Sequence, residues 1–199
     1  MKVLDPIVFE GFPKIPRLSR DCVVTEKIDG TNASIHIPKD GKMVQVETQE
    51  GDVKLVPFLC ASKKHWIFPG KKDNFGFASW AYANALGLLE ALGPGSHYGE
   101  WYGRGIQRTY GLQERRWALF NTARWKGIEG TSGGLVTCVP TLGEFEFDTD
   151  KILMLLAAMQ MIGSQAVPGF MRPEGVVVFH KASGYLFKKT MEHDEKGKN

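Results

Sequence analysis

The chain has little of what marks several common protein classes. Cysteine occurs only at Cys22, Cys60 and Cys138, an odd and scattered set without metal-ligand spacing. It supports neither a disulfide framework nor a zinc ribbon, and reads as reduced, buried thiols in a cytoplasmic protein. His36, His65, His97 and His180 show no metal spacing either. The longest apolar segment, Ile152 to Ile162, is too short to cross a bilayer, and Met1 to Glu10 lacks a basic start followed by an apolar run, so no membrane partner or secretory leader is expected. Neither sign of charge dominates: 25 Lys and Arg against 22 Asp and Glu give a formal +3, so charge alone does not mark a nucleic-acid binder. There is no internal repeat. The 43% apolar and 24% charged residues of 199 suit one packed domain, taken as monomeric by default, and argue against disorder.

What is present centres on Glu26-Lys27-Ile28-Asp29-Gly30-Thr31-Asn32. The apolar pair Val23-Val24 precedes it, and the alternating run Ala33-Ser34-Ile35-His36-Ile37 follows. Lys27 therefore falls between two strands, with Gly30 and Asn32 easing the bend. Lys-x-Asp-Gly by itself turns up by chance in roughly one chain of this length in twenty, so the rest of the sequence must support it.

Prolines 6, 13 and 16 with Lys14 and Arg17 between them predict an extended arm over residues 1 to 20, packed on the domain. Turns at Pro38-Lys39-Asp40-Gly41 and Gln49-Glu50-Gly51-Asp52 predict an antiparallel meander over residues 23 to 60. Five basic or potentially basic side chains follow within residues 62 to 72, either a solvated loop or a phosphate-facing edge. Asp73-Asn74 can cap a helix whose apolar positions run from Phe77 to Leu92. The segment His97 to Arg108 mixes aromatics, glycines, Glu100 and two arginines, a mixture that packing alone explains poorly. Trp117 to Asn121 reads as a strand and Lys126 to Gly134 as a loop. A helix over residues 151 to 162, apolar nearly all round, is expected to be deeply buried. Val176 to Phe179 and Tyr185 to Lys189 read as closing strands, and the charged tail from Met191 as frayed. Strands interrupted by two helices, without a strand-helix rhythm, indicate an α+β fold with antiparallel sheets.

Four further stretches stand beside the lysine motif in order: Tyr98-Gly99-Glu100, Leu119-Phe120-Asn121, Pro173-Glu174-Gly175-Val176-Val177-Val178 and Leu186-Phe187-Lys188-Lys189. Together the five resemble the motifs of the covalent lysyl-nucleotidyltransferase superfamily of ATP-dependent RNA ligases, DNA ligases and RNA capping enzymes. The likeness is nearest to the RNA ligase family, in its small phage and bacterial branch, and runs from about residue 9 to 190. It implies an ATP-grasp-like adenylation domain at 1–190, a tail at 191–199 and no oligonucleotide-binding domain after it.

The resemblance also implies a reaction. Lys27 attacks the α-phosphate of ATP to form lysyl-AMP, AMP passes to an RNA 5′-phosphate, and a 3′-hydroxyl displaces it to seal the strand. Only a neutral amine is nucleophilic, and nearby cations such as Lys188 and Mg²⁺ or Mn²⁺ favour that form. By the same resemblance Glu26 meets the adenine through its backbone and Asn32 lies near the ribose and phosphates. Glu100 accepts from the ribose hydroxyls, Phe120 stacks on the adenine and Glu174 helps hold the metal. Lys188 offsets charge on the α-phosphate. Lys63, in a Ser-Lys where the family usually has Ser-Arg, and Lys189 complete the nucleotide set. Thr190 stands where a second lysine is common, and strand alternation turns Lys189 to the other face. Lys64, Lys71, Arg104 and Arg108 are candidates for gripping RNA. A DNA ligase, a GTP-using capping enzyme and a non-catalytic nucleic-acid-binding module are the alternatives.

Overall fold

Alternation of side chains along two strands sets the architecture. In Asp21–Lys27 (β1), Cys22, Val24 and Glu26 are buried on one face, while Val23, Thr25 and Lys27 turn the other way. In Thr31–Ile37 (β2), Ala33, Ile35 and Ile37 form the buried face. The computed structural model describes residues 10–47, 51–70, 72–192 and 194. Lys71, residues 1–9 of the proline-bearing arm, Gln49 and Glu50 of the second turn, and tail residues 195–199 lie outside them.

A hairpin of Val44–Glu47 (β3) and Val53–Val56 (β4) comes next, then Leu59–Ser62 (β5) and Trp66–Ile67 (β6). A 3₁₀ turn at Asn74–Gly76 leads into helices Phe77–Ala83 (α1) and Ala85–Leu92 (α2). Strands Gly95–Gly103 (β7) and Arg115–Leu119 (β8) precede two short helices, Thr122–Trp125 (α3) and Ile128–Thr131 (α4). Thr137–Cys138 (β9), Thr141–Glu146 (β10), helix Thr149–Ile162 (α5), Gly175–His180 (β11) and Tyr185–Thr190 (β12) follow.

The strands form a four-stranded antiparallel sheet, β10-β1-β11-β12, a six-stranded sheet, β6-β5-β2-β7-β8-β9, and the separate β3-β4 hairpin. In the larger sheet only the β8-β9 pair is parallel. One face of it, with Ile35, Trp101, Trp117 and Leu119, packs on Phe77, Ala81, Leu88 and Leu92 of α1 and α2. The four-stranded sheet lays Cys22, Val24, Val176 and Val178 against Ile152, Leu156 and Met159 of α5. A third, smaller cluster of Ile28, Tyr102, Tyr110, Ala118 and Val139 joins the two sheets beneath the β1–β2 connection.

The α+β architecture is as expected, but several elements differ from the sequence reading. No meander spans residues 23 to 60. β1 pairs with β10 and β11, and β2 with β5 and β7, so the two strands flanking Lys27 belong to different sheets. The helix after Asp73 breaks at Asn84, whose side-chain amide donates to the Trp80 carbonyl (2.8 Å) and so competes with the helical ladder. Gly76 is the N-cap of α1, and Asp73, ahead of the 3₁₀ turn, accepts from the backbone N–H groups of Ala78 and Ser79 in the helix's first turn. The stretch from Lys126 to Gly134 contains α4 and is not only a loop. Helix α5 is covered on one side only: Met154, Met161 and Ile162 are exposed, because a helix laid on a sheet buries only the stripe that faces it. The described arm, residues 10 to 20, is exposed along its length and tied at its end, where Leu18 and Arg20 carbonyls accept from His180 and Phe147. The start of the tail is docked, with Met191 packed beside the second cluster and Asp194 accepting from Lys189 and the Thr190 N–H.

Gly30 owes its place to a close approach rather than to an unusual dihedral. A Cβ there would lie 2.4 Å from the Trp101 carbonyl oxygen and 2.9 Å from Tyr102 Cβ, both on β7. Gly30→Ala must push β7 away or displace the loop that follows Lys27. We expect a loss of about 1–3 kcal/mol in urea unfolding, and wild-type stability in this variant would contradict the packing described.

Candidate active site

β1 ends at Lys27, which lies opposite Gly175, the first residue of β11. Gly175 in turn lies against β12 so closely that a Cβ would meet the Lys189 carbonyl oxygen at 2.2 Å. This tight corner brings Glu174 beside the lysine, whose Nζ donates to Glu174 Oε2 at 2.6 Å. The two side chains are 23% and 14% exposed, so the pair is shielded yet open to a ligand.

Alternation sends the preceding residue, Glu26, to the other face, where it is fully buried. Its carboxylate accepts from Ser164 Oγ (2.5 Å) and from the backbone N–H groups of Gln165 (2.8 Å) and Ala166 (2.9 Å). A buried carboxylate needs such donors, and here they fasten the loop after α5 to the strand that carries Lys27.

The turn after the lysine is held at each residue. Ile28 enters the third core cluster. The Asp29 N–H donates to Tyr110 Oη (2.8 Å), the Asp29 carboxylate pairs with Arg108 Nε (3.0 Å), and the Gly30 N–H donates to Glu100 Oε1 (3.1 Å). Burial pushes the Tyr110 phenol pKa upward, so it stays neutral as the acceptor.

Between the two sheets opens a cleft of about 620 Å³. Val23, Val139, Val177, Phe179 and Leu186 make its walls apolar, while Lys27 and Glu100 give it a polar end and Phe120 stands at its side. An apolar slot with a charged end suits a flat ring joined to a polar, anionic group. Burial pushes the Glu100 carboxyl up to about 7, against the opposing pull of Lys27 and the Gly30 N–H and with a further push from Glu174 and Asp29. Glu174 touches Lys27, Glu100 feels the charge of both, and Asp29 is answered by Arg108. Glu174 is thus placed to help hold a small hard divalent cation, which commonly takes one or two carboxylates and completes its shell with phosphate and water. Among the described residues no group of three or more His, Cys, Asp or Glu forms a metal cage by itself.

The predicted residues divide. Lys27, Glu100 and Phe120 line the cleft, Glu26 borders it while its carboxylate turns to the opposite face, and Glu174 touches Lys27. Phe120 lies just past β8, 39% exposed, and is therefore not strand core. Asn32 pairs with Glu100 across β2 and β7, so the two share a face, and its carbonyl accepts from Asn74 Nδ2 at 3.2 Å. Lys188 lies opposite Val177, which puts it on the face that carries Lys27.

Other candidates lie elsewhere. Lys189 points to the α5 side and pairs with Asp194 at 2.6 Å, because strand alternation opposes it to Lys188. Lys63 and Lys64 sit on the exposed bend between β5 and β6, outside the cleft lining. Arg108 is taken up by Asp29, Glu192 and the Arg172 carbonyl, so it braces the lysine turn rather than waiting for RNA. Arg104 is exposed after β7.

The sequence reading missed Tyr110, Ser164 and Lys181. Lys181 lines the cleft and pairs with Glu144. Tyr110 and Ser164 lie in irregular segments with no periodic signal, and only the hydrogen bond each makes reveals its part.

The raised Glu100 carboxyl has a pH signature. In the unfolded chain it titrates near 4.5, so between that pH and about 7 the ligand-free folded protein holds a proton that the unfolded chain has released. Stability then falls as pH rises through this window, by roughly 3 kcal/mol. Glu100→Gln keeps an acceptor for Gly30 and removes the titration. Its stability relative to wild type should therefore improve by about that amount between pH 5 and pH 8 in denaturant unfolding, and a pH-independent difference would refute the assignment.

Comparison with known proteins bears on the fold and the family. No curated protein matches the chain. A solved Naegleria gruberi RNA ligase mutant with ATP and Mn superposes with a TM-score of 0.60 at 18% identity, covering 92% of this chain and 53% of that one. An apo mutant of a Naegleria gruberi RNA ligase gives 0.57 at 16% identity over 86% and 50%, and a mutant with AMP and Mn gives 0.55 at 17% over 87% and 50%. At such identities the likeness is one of fold, and the chain spans about half the length of these solved relatives. The family model described as RNA ligase matches residues 20–190, most of the sequence, and the chain therefore belongs to the RNA ligase family.

Proposed function

We propose that this chain is the adenylation domain, at residues 1–190, of an ATP-dependent RNA ligase that works through lysyl-AMP on Lys27. The observation that carries the reading is the convergence of five separated stretches on one cleft, with the Lys27–Glu174 contact at its polar end and Phe120 at its side. Structures of Naegleria gruberi RNA ligase with ATP or AMP and Mn support the choice of nucleotide and metal. The three free cysteines suit a reducing compartment such as the cytoplasm.

In this reading the adenine enters between the apolar walls and stacks on Phe120. Glu100, on the strand facing Asn32, accepts from the ribose hydroxyls, which aims the α-phosphate at Lys27. The Nζ proton leaves along the 2.6 Å hydrogen bond to Glu174. The nitrogen then bonds to the α-phosphorus as the bond to the bridging oxygen breaks and pyrophosphate departs. Lys188, on the same sheet face, offsets the charge that builds on the α-phosphate oxygens. Glu174 is the residue that would help hold a divalent cation, whose contribution would be neutralisation of the triphosphate. A 5′-phosphate oxygen of RNA next takes AMP from Lys27 and restores the amine. A 3′-hydroxyl finally attacks that 5′-phosphate and expels AMP, sealing the strand.

Incubation with ATP labelled at the α-phosphate should leave label covalently on the protein, and Lys27→Ala should abolish it. Label that persists in this variant would sink the proposal, and equal labelling from GTP would favour a capping-type enzyme. Phe120→Ala should raise the ATP concentration for half-maximal labelling about tenfold, the usual worth of one base–aromatic stack.

A further inference from the structure

Along β7 one face of the larger sheet changes character step by step. Tyr102 is buried within the third cluster, Glu100 stands at the cleft, and Tyr98 is 51% exposed. Each step of two residues advances about 7 Å. The register carries this face outward, with Ser34 opposite Tyr98, His36 opposite Ser96, Ala61 opposite Ser34 and Trp66 opposite Ala61. Beyond the cleft, then, the sheet presents Tyr98, His36 and Trp66 together, and no core cluster among the described residues covers them.

The three rings form one built surface. His36 meets Trp66 edge-on at 5.0 Å and Tyr98 edge-on at 5.6 Å between centroids. Its own ring is fixed by Ser34 Oγ (3.0 Å) and Ser96 Oγ (2.9 Å), and burial lowers its pKa, which favours the neutral imidazole. Two large aromatics thus remain open, with Trp66 at 63% exposure, while the ring between them is locked. Lys63 and Lys64, the lysines that miss the cleft, are exposed on the bend leading directly into Trp66.

Exposed rings in a row with lysines at the rim are how proteins hold a single nucleic-acid strand, by stacking bases and countering phosphates. We propose that Tyr98 and Trp66, braced by His36, form a stacking platform for unpaired bases of an RNA end, with Lys63 and Lys64 meeting its phosphates. The strand leads along β7 toward Glu100 and Lys27, so its terminal phosphate arrives at the polar end of the cleft. The proposal rests on the ligase reading for the identity of the strand. The platform itself rests on the rings and lysines.

The test is anisotropy with a short, fluorescently labelled single-stranded RNA bearing a 5′-phosphate, alongside α-phosphate labelling of the wild-type protein. Tyr98→Ala and Trp66→Ala should each weaken binding about tenfold, and Tyr98→Phe should retain it. Replacing Lys63 and Lys64 together by Ala should reduce the slope of log affinity against log salt by about 1.4, roughly 0.7 for each single-strand phosphate left without its lysine. Blunt duplex RNA, its bases already stacked, should compete poorly. Binding within twofold of wild type in both alanine variants, or equal competition by the duplex, overturns the platform. A wild-type protein that takes no label, with RNA binding that still depends on Tyr98 and Trp66, overturns the ligase reading and leaves the platform standing.

Discussion

The hydrogen-bonded ion pair between Lys27 and Glu174 joins residues 147 apart in sequence, and the rest of the site depends on it. It requires that β1 and β11 be adjacent and in one register, because a slip of one residue would turn Lys27 to the α5 side and bring the Glu26 carboxylate into the cleft. The opposite faces of β1 forbid that slip. Val24 and Cys22 are fully buried against α5, and Glu26 has its three donors waiting in residues 164 to 166. Removing either member of the pair would leave the other charge facing apolar walls without its partner.

The connection from β1 to β2 crosses from one sheet to the other, and this explains why so many unrelated side chains converge on three residues. A free loop there would let the lysine wander. Tyr110, Arg108 and Glu100, all on or after β7, fix the backbone and side chain of Asp29 and the backbone of Gly30. Glu100 thereby serves both sheets, receiving the Gly30 N–H while it faces the cleft. Its burial at that junction raises its pKa, and the same raised carboxyl among like charges makes the site receptive to a cation.

The two sheets also divide the surface. The four-stranded sheet supplies the nucleophile and most of the apolar walls, while the larger one supplies Glu100 and, farther along the same face, the exposed rings. A strand resting on Tyr98 and Trp66 would be carried by the same β-strand that orients the ribose end of the nucleotide. Register in β7 thus ties the position of one substrate to the position of the other.

The sequence by itself determined the strands that carry Lys27 and Lys188, their faces and the chemistry at their ends, but left β6, β9 and β10 unmarked. Alternation around Lys27, Glu100 and Lys188 is a local property of period two, and each charged residue lies at the end of an apolar or aromatic run. It also warned that Lys189 would face away from Lys188, as it does. The partners of the strands were not legible. The turn chemistry at residues 38 to 41 suggested a meander, yet β1 and β2 separate into two sheets, because hydrogen bonding between distant strands carries no local signature. Arg108 looked like a phosphate ligand until the fold set it 3.0 Å from Asp29, and α5 looked buried all round until the sheet covered one stripe of it. Tertiary structure alone decided these, since burial and pairing are properties of what lies across a gap rather than of what lies next in the chain.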